Sequence, residues 1–145
     1  MKAKATPAEQ ENQEFDTEVL ARRIAELTWD LKALNTVVID LRGRVSYTDF
    51  VIVTTASSER QVQALSKYVE GKLKEETGVA SYGREGVDQG QWALIDFGDA
   101  ILHIFNGPRR NDYDLERMWI EAPRLELEDK PASLYGHFDM NDFER

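Results

Sequence analysis

Apolar residues recur along this chain in two rhythms. Leu20, Ile24, Leu27, Leu31 and Leu34 step by four, three, four and three positions, with Asp16 ahead of them as a candidate N-cap. That spacing predicts an amphipathic helix from Asp16 to about Ala33. Val37-Val38-Ile39-Asp40-Leu41 and Phe50-Val51-Ile52-Val53-Thr54-Thr55 are short β-branched runs on either side of Arg42-Gly43-Arg44, and they predict two strands of one sheet. Val62, Leu65, Val69 and Leu73 return to helical spacing between a serine cap, Ser57 or Ser58, and a stop at Gly78, which predicts a helix over residues 58–76. A loop through residues 82–90 leads to two apolar runs, 92–97 and 100–105, joined by Phe97-Gly98-Asp99, a turn signature that predicts a β-hairpin. Pro108 closes the sheet, and Tyr113, Leu115 and Trp119 at near-helical spacing place a short helix over residues 112–119.

The resulting order is α-β-β-α-β-β-α, an α/β fold with a mixed β-sheet covered by helices. A chain of 145 residues is one domain by length. Residues 1–14 lack apolar periodicity and are expected to be a disordered leader, residues 15–123 form the domain, and residues 124–145 form an acidic, flexible tail. Leu134, Tyr135, Phe138, Met140 and Phe143 cluster in that tail, where a short docking segment competes with plain disorder.

Charge narrows the partners. Acidic residues exceed basic ones, for a net charge of −9, so a broad phosphate-binding face and direct nucleic-acid binding are not expected, and a basic protein is the more natural partner. The chain has no cysteine, which removes disulfides, thiol catalysis and thiolate metal sites and fits a reducing compartment, with the cytoplasm as default. Residues 1–13 are polar and include Glu9 and Glu11, unlike a signal or transit peptide, and no run reaches membrane-spanning length.

The search for catalytic chemistry returns little. Asp96-Phe97-Gly98 matches the metal-binding tripeptide of protein kinases, without the glycine-rich loop or catalytic loop that the match requires. Asp40, Asp49, Asp96 and Asp99 are the available carboxylates for a metal, but Asp96 and Asp99 flank a turn where aspartate commonly serves its own backbone. His103 alternates with Leu102 and Ile104 and lacks a nucleophile or an orienting acid, so it reads as a hydrogen-bonded structural or interface residue. Ser57 and Ser58 lack Gly-x-Ser-x-Gly and read as helix caps. Gly83-Arg84-Glu85-Gly86 precedes a strand and reads as a tight turn. Arg109 and Arg110 interleave with Asp112, Asp114 and Glu116, which suggests a polar rim. No catalytic residue, metal or cofactor is expected.

Thr48-Asp49-Phe50-Val51-Ile52-Val53-Thr54, Ser58-Glu59-Arg60, Gly83-Arg84-Glu85-Gly86, Trp92 with Asp96-Phe97-Gly98-Asp99, His103-Ile104-Phe105 and Tyr113-Asp114-Leu115-Glu116-Arg117-Met118-Trp119 together resemble the ribosomal silencing factor family, RsfS or Iojap, over about residues 17–123. The resemblance implies a nucleotidyltransferase-like fold without transferase activity. It also implies binding to ribosomal protein uL14 on the large subunit, at the face where the small subunit docks, and so steric repression of translation under nutrient limitation. By this likeness Trp92, Phe97 and Tyr113 occupy contact positions, with Asp99 and Leu115 as neighbours. Strict alternation sets Trp92, Leu94 and Asp96 on one face and Ala93, Ile95 and Phe97 on the other. Phe97, at the turn, can escape that constraint; core packing is the competing reading for both aromatics. The chain departs from the family pattern at Ala56-Ser57-Ser58 and Gln61, where Gly-Thr-Ser and a histidine are common. Alternatives are a large-subunit assembly factor using the same surface, and a nucleotidyltransferase-like enzyme binding magnesium through Asp40, Asp96 and Asp99. Self-pairing of the free protein through its aromatic surface stays open.

Overall fold

A computed structural model describes residues 7–127, with side chains from residue 17 onward. The elements are α1 (Pro7–Asp30), β1 (Leu34–Asp40), β2 (Phe50–Ala56), α2 (Glu59–Thr77), β3 (Gly83–Glu85), β4 (Trp92–Asp96), β5 (Ala100–Asn106), α3 (Arg109–Tyr113) and a 3-10 helix (Leu115–Trp119). Strands line up as β1-β2-β5-β4-β3. The β2–β5 pair is parallel and the others antiparallel, so the sheet is mixed, as the alternation of helices and strands requires.

Alternation in the strands gives the sheet two apolar faces. Phe50 and Ile52 of β2, Ala93 and Ile95 of β4, and Leu102 and Ile104 of β5 pack beneath α1 and α2, against Ile24, Leu27, Val62, Leu65, Val69 and Leu73. On the opposite face Ile39, Val51, Val53 and Phe105 meet Leu115 and Trp119 of the final segment. Three hydroxyls, those of Thr28 and Thr54 buried, stitch the irregular start of β1 to its neighbours: Thr28 donates to the Ala25 carbonyl, and the Thr28, Thr36 and Thr54 oxygens are linked at 2.9 and 2.6 Å.

Local chemistry sets the boundaries of α2. The Ser58 hydroxyl accepts from the Gln61 amide, and the Gly78 amide, at φ +77°, closes on the Lys74 carbonyl. The residues that depart from the family pattern form this cap: the Gln61 side chain accepts from the Ser57 hydroxyl and donates to the Leu31 carbonyl at the end of α1.

Several expectations are corrected. Helix α1 starts at Pro7 rather than at an Asp16 cap, so helix runs through residues 7–14 of the expected leader; proline suits a first helical position, and the Ala, Glu and Gln that follow are good helix formers without an apolar stripe. It ends at Asp30 because Lys32 turns left-handed at φ 63°, which releases Leu34 into β1. Strand β3 was not expected, and its three residues are all exposed, leaving no hydrophobic signal to read. The final helix is two pieces, broken where Asp114 adopts φ 49°. The tail begins later than residue 124: Asp40 donates to the Pro123 carbonyl, Leu125 donates to the Val38 carbonyl, and Arg124 bridges Ile39. The cluster from Leu134 to Phe143 and the leader's first six residues lie outside the described residues.

Candidate protein-docking face

The sheet face away from α1 and α2 is only partly roofed. The final segment covers β1 and β2, while over β4 and β5 an aromatic group reaches the surface. Trp92 lies opposite Phe105 in the β4–β5 register. Its ring stacks on Phe105 at 5.1 Å between centroids and meets Tyr113 of α3 at 4.4 Å. Phe105 is fully buried, Trp92 is half-buried, and Tyr113 is 53% exposed. A buried floor therefore holds two outward rings in fixed positions. Met118 and Ile120, at 70% and 74% exposed, add apolar surface on the final segment.

His103 completes the group. The Trp92 indole Nε1–H donates to its Nδ1 at 3.0 Å, and burial pushes the imidazole pKa down to about 4. It sits on the face opposite Leu102 and Ile104, as alternation requires, because those two pack beneath the helices.

Arg110 fastens α3 to the sheet. Its guanidinium is buried and donates to the Asn35 carbonyl at 2.6 Å, to Thr55 Oγ1 at 3.1 Å and through two nitrogens to Glu116 at 2.8 and 3.1 Å. Burial opposes ionisation of Glu116, but the Arg110 hydrogen bonds and the Arg110 and Arg124 charges outweigh it and hold the carboxyl below its ordinary range. Arg110 is thus an anchor and not the rim residue its acidic neighbours suggested; its partner lies six positions on, across the break at Asp114, at a spacing no helical rule flags. Arg109, by contrast, is a surface residue paired with Asp112 at 3.2 Å.

The expected contact residues do not form one patch. Trp92 and Tyr113 touch. Phe97 is 3% exposed and packs in the core beneath α1 and α2, so core packing is its place: the turn does not release it, since its amide bonds the Ala100 carbonyl at 2.9 Å and alternation persists through the hairpin. Asp99 is exposed at the turn, the end of the hairpin far from Trp92, where its carbonyl accepts from the Asp49 and Phe50 amides. Leu115 is half-buried with Trp119 against Val51 and Val53.

The carboxylates do not converge. Asp96 Oδ1 accepts from the Gly98 amide at 2.7 Å, and Asp40 is held by Arg42 at 2.8 Å. Two strands, β2 and β5, separate the strands that carry them. Among the described residues no three His, Cys, Asp or Glu side chains could share a metal ion, and no helix is long and apolar enough to cross a membrane.

A mixed sheet with one helix-covered face and one aromatic, partly open face defines the molecule as an α/β protein with exposed aromatic rings on one side. Residues 13–141 match the family model described as ribosomal silencing factor during starvation, a span reaching past the 17–123 seen from motifs. The chain is 37% identical over 99 residues to the ribosomal silencing factor RsfS of Halalkalibacterium halodurans, covering 68% of this chain and 84% of that one. With the RsfS of Zymomonas mobilis it shares 36% over 105 residues, covering 72% and 78%. A crystal structure of a Chromobacterium violaceum protein superimposes with a TM-score of 0.69 at 31% identity, covering 83% of this chain and 98% of that one. The chain belongs to the ribosomal silencing factor family, RsfS/Iojap.

Proposed function

We propose that this protein docks on the large ribosomal subunit through the Trp92–Tyr113 face, with ribosomal protein uL14 as its partner, and blocks joining of the small subunit by occupying space. The observation that carries this reading is the pair of outward aromatic rings, 4.4 Å apart, held over the buried Phe105. Aromatic side chains fixed by packing bury large area at small entropic cost, which is what interface anchors need. An obstruction mechanism needs a stable footprint and bulk, and family membership supplies the ribosomal context. The role under nutrient limitation and a cytoplasmic site of action belong to the same proposal.

Sedimentation of purified subunits tests it. With the protein present, small and large subunits should stay apart in a sucrose gradient, and the protein should travel with the large subunit. Trp92→Ala and Tyr113→Ala should each weaken that co-sedimentation by about tenfold or more with folding retained. Unimpaired subunit joining at saturating protein would overturn the reading.

A further inference from the structure

We propose that His103 is a recognition residue of the docking face, one imidazole that fixes Trp92 through Nδ1 and offers its Nε2–H to an oxygen acceptor on the partner. The inference rests on the reading of the Trp92–Tyr113 face as the docking face.

An indole N–H can only donate, so the His103 nitrogen that receives it at 3.0 Å carries no proton. The imidazole is therefore neutral, with its single proton on Nε2. That tautomer follows from the hydrogen-bond geometry alone. Nε2–H is therefore a donor with no acceptor among the described residues, in a residue only 5% exposed. The ring lies 5.8 Å from Trp92 and 6.5 Å from Phe105, and its direct neighbours across the strands are Leu94 and Val53.

One oriented donor thus lies within the aromatic patch, without an acceptor among the described residues. A partner that covers the patch without an acceptor strands this N–H away from water, which costs binding; a partner that brings a carbonyl or carboxylate oxygen does not. A flat apolar surface selects by shape alone, whereas a fixed donor selects by the position of one oxygen. His103 therefore adds direction to a contact that the two aromatic rings alone would leave permissive.

Two isosteric substitutions separate the halves of the imidazole. In His103→Asn the amide oxygen can take the place of Nδ1 and keep Trp92, but nothing replaces the Nε2–H. In His103→Gln the amide nitrogen can replace Nε2 and donate outward, but the acceptor for Trp92 is gone. His103→Phe removes both. Three observations are expected on the full chain. A long-range proton–nitrogen spectrum of the wild type shows the proton on Nε2. The Trp92 indole N–H resonance is preserved in His103→Asn and displaced in His103→Phe. Co-sedimentation with large subunits falls about tenfold in His103→Asn while circular dichroism is unchanged, and falls further in His103→Phe. A proton on Nδ1 in the wild type overturns the proposal. So does wild-type binding by His103→Asn when Trp92→Ala has lost it, which leaves the docking reading standing; wild-type binding by Trp92→Ala and Tyr113→Ala as well removes both.

Discussion

At the scale of single residues, Trp92 and Phe97 look alike in the sequence and differ in the fold. Both end an apolar run that flanks the same turn, but an odd number of steps separates them, and the pleat sends them to opposite sides of the sheet. Their substitutions should therefore fail differently. Phe97→Ala empties a site beneath α1 and α2 and should cost about 3–5 kcal/mol in denaturant unfolding, whereas Trp92→Ala should lose more binding than stability. Equal stability losses in the two variants would contradict this division. His103 gives a pH signature. Its pKa falls from 6.5 to about 4 on folding, so the unfolded chain binds the proton more readily between those values. The stabilisation is complete above 6.5 and is lost as pH falls toward 4, about 2 kcal/mol of it between pH 7 and pH 5. Unfolding midpoints measured at those two pH values should differ accordingly in the wild type and much less in His103→Asn.

Elements were legible where periodicity carried them. The stripe in α1, the β-branched runs of β1 and β2, the capped α2 and the hairpin of β4 and β5 each announce a buried face, and burial is what a hydrophobic pattern encodes. What escaped had no such face. Strand β3 is an exposed edge, the first turns of α1 are polar helix formers, and residues 124–127 join the β1 edge through backbone hydrogen bonds, with only Leu125 and Leu127 packing on the core, too short an alternation to read. The site was half legible for the same reason: the aromatic rings stood out, while the fastening by Arg110 joins residues far apart in the chain, Asn35, Thr55 and Glu116. Removing that fastening tests its weight. Arg110→Ala strands a half-buried Glu116 with only Arg124 at 3.3 Å, and should lower unfolding stability by about 3 kcal/mol while freeing α3. Restored stability in the Arg110→Ala, Glu116→Ala double variant would attribute the loss to the uncompensated carboxylate rather than to packing.

On the scale of the whole molecule, the asymmetry of the sheet underlies the proposed mode of action. Two helices close one face, and a short segment fastened by Arg110 closes only half of the other, so the protein offers a single stiff side to a partner. The chain as a whole carries a net charge of −9, a balance that disfavours RNA phosphate and favours a basic protein surface. In the proposed complex, long-range forces would guide the approach and the rings would determine how long the complex lasts. Salt separates the two contributions, because screening shortens electrostatic reach from about 10 Å at 0.1 M to about 3 Å at 1 M ionic strength and leaves apolar burial in place. Stopped-flow mixing with large subunits should therefore show an association rate that falls steeply as salt rises and a dissociation rate that changes little. Trp92→Ala should keep the salt dependence of association and dissociate faster at every salt concentration. An association rate that climbs with salt would mean that the acidic chain is chiefly repelled by the RNA around its landing place, and the partner would have to be sought on a less basic surface.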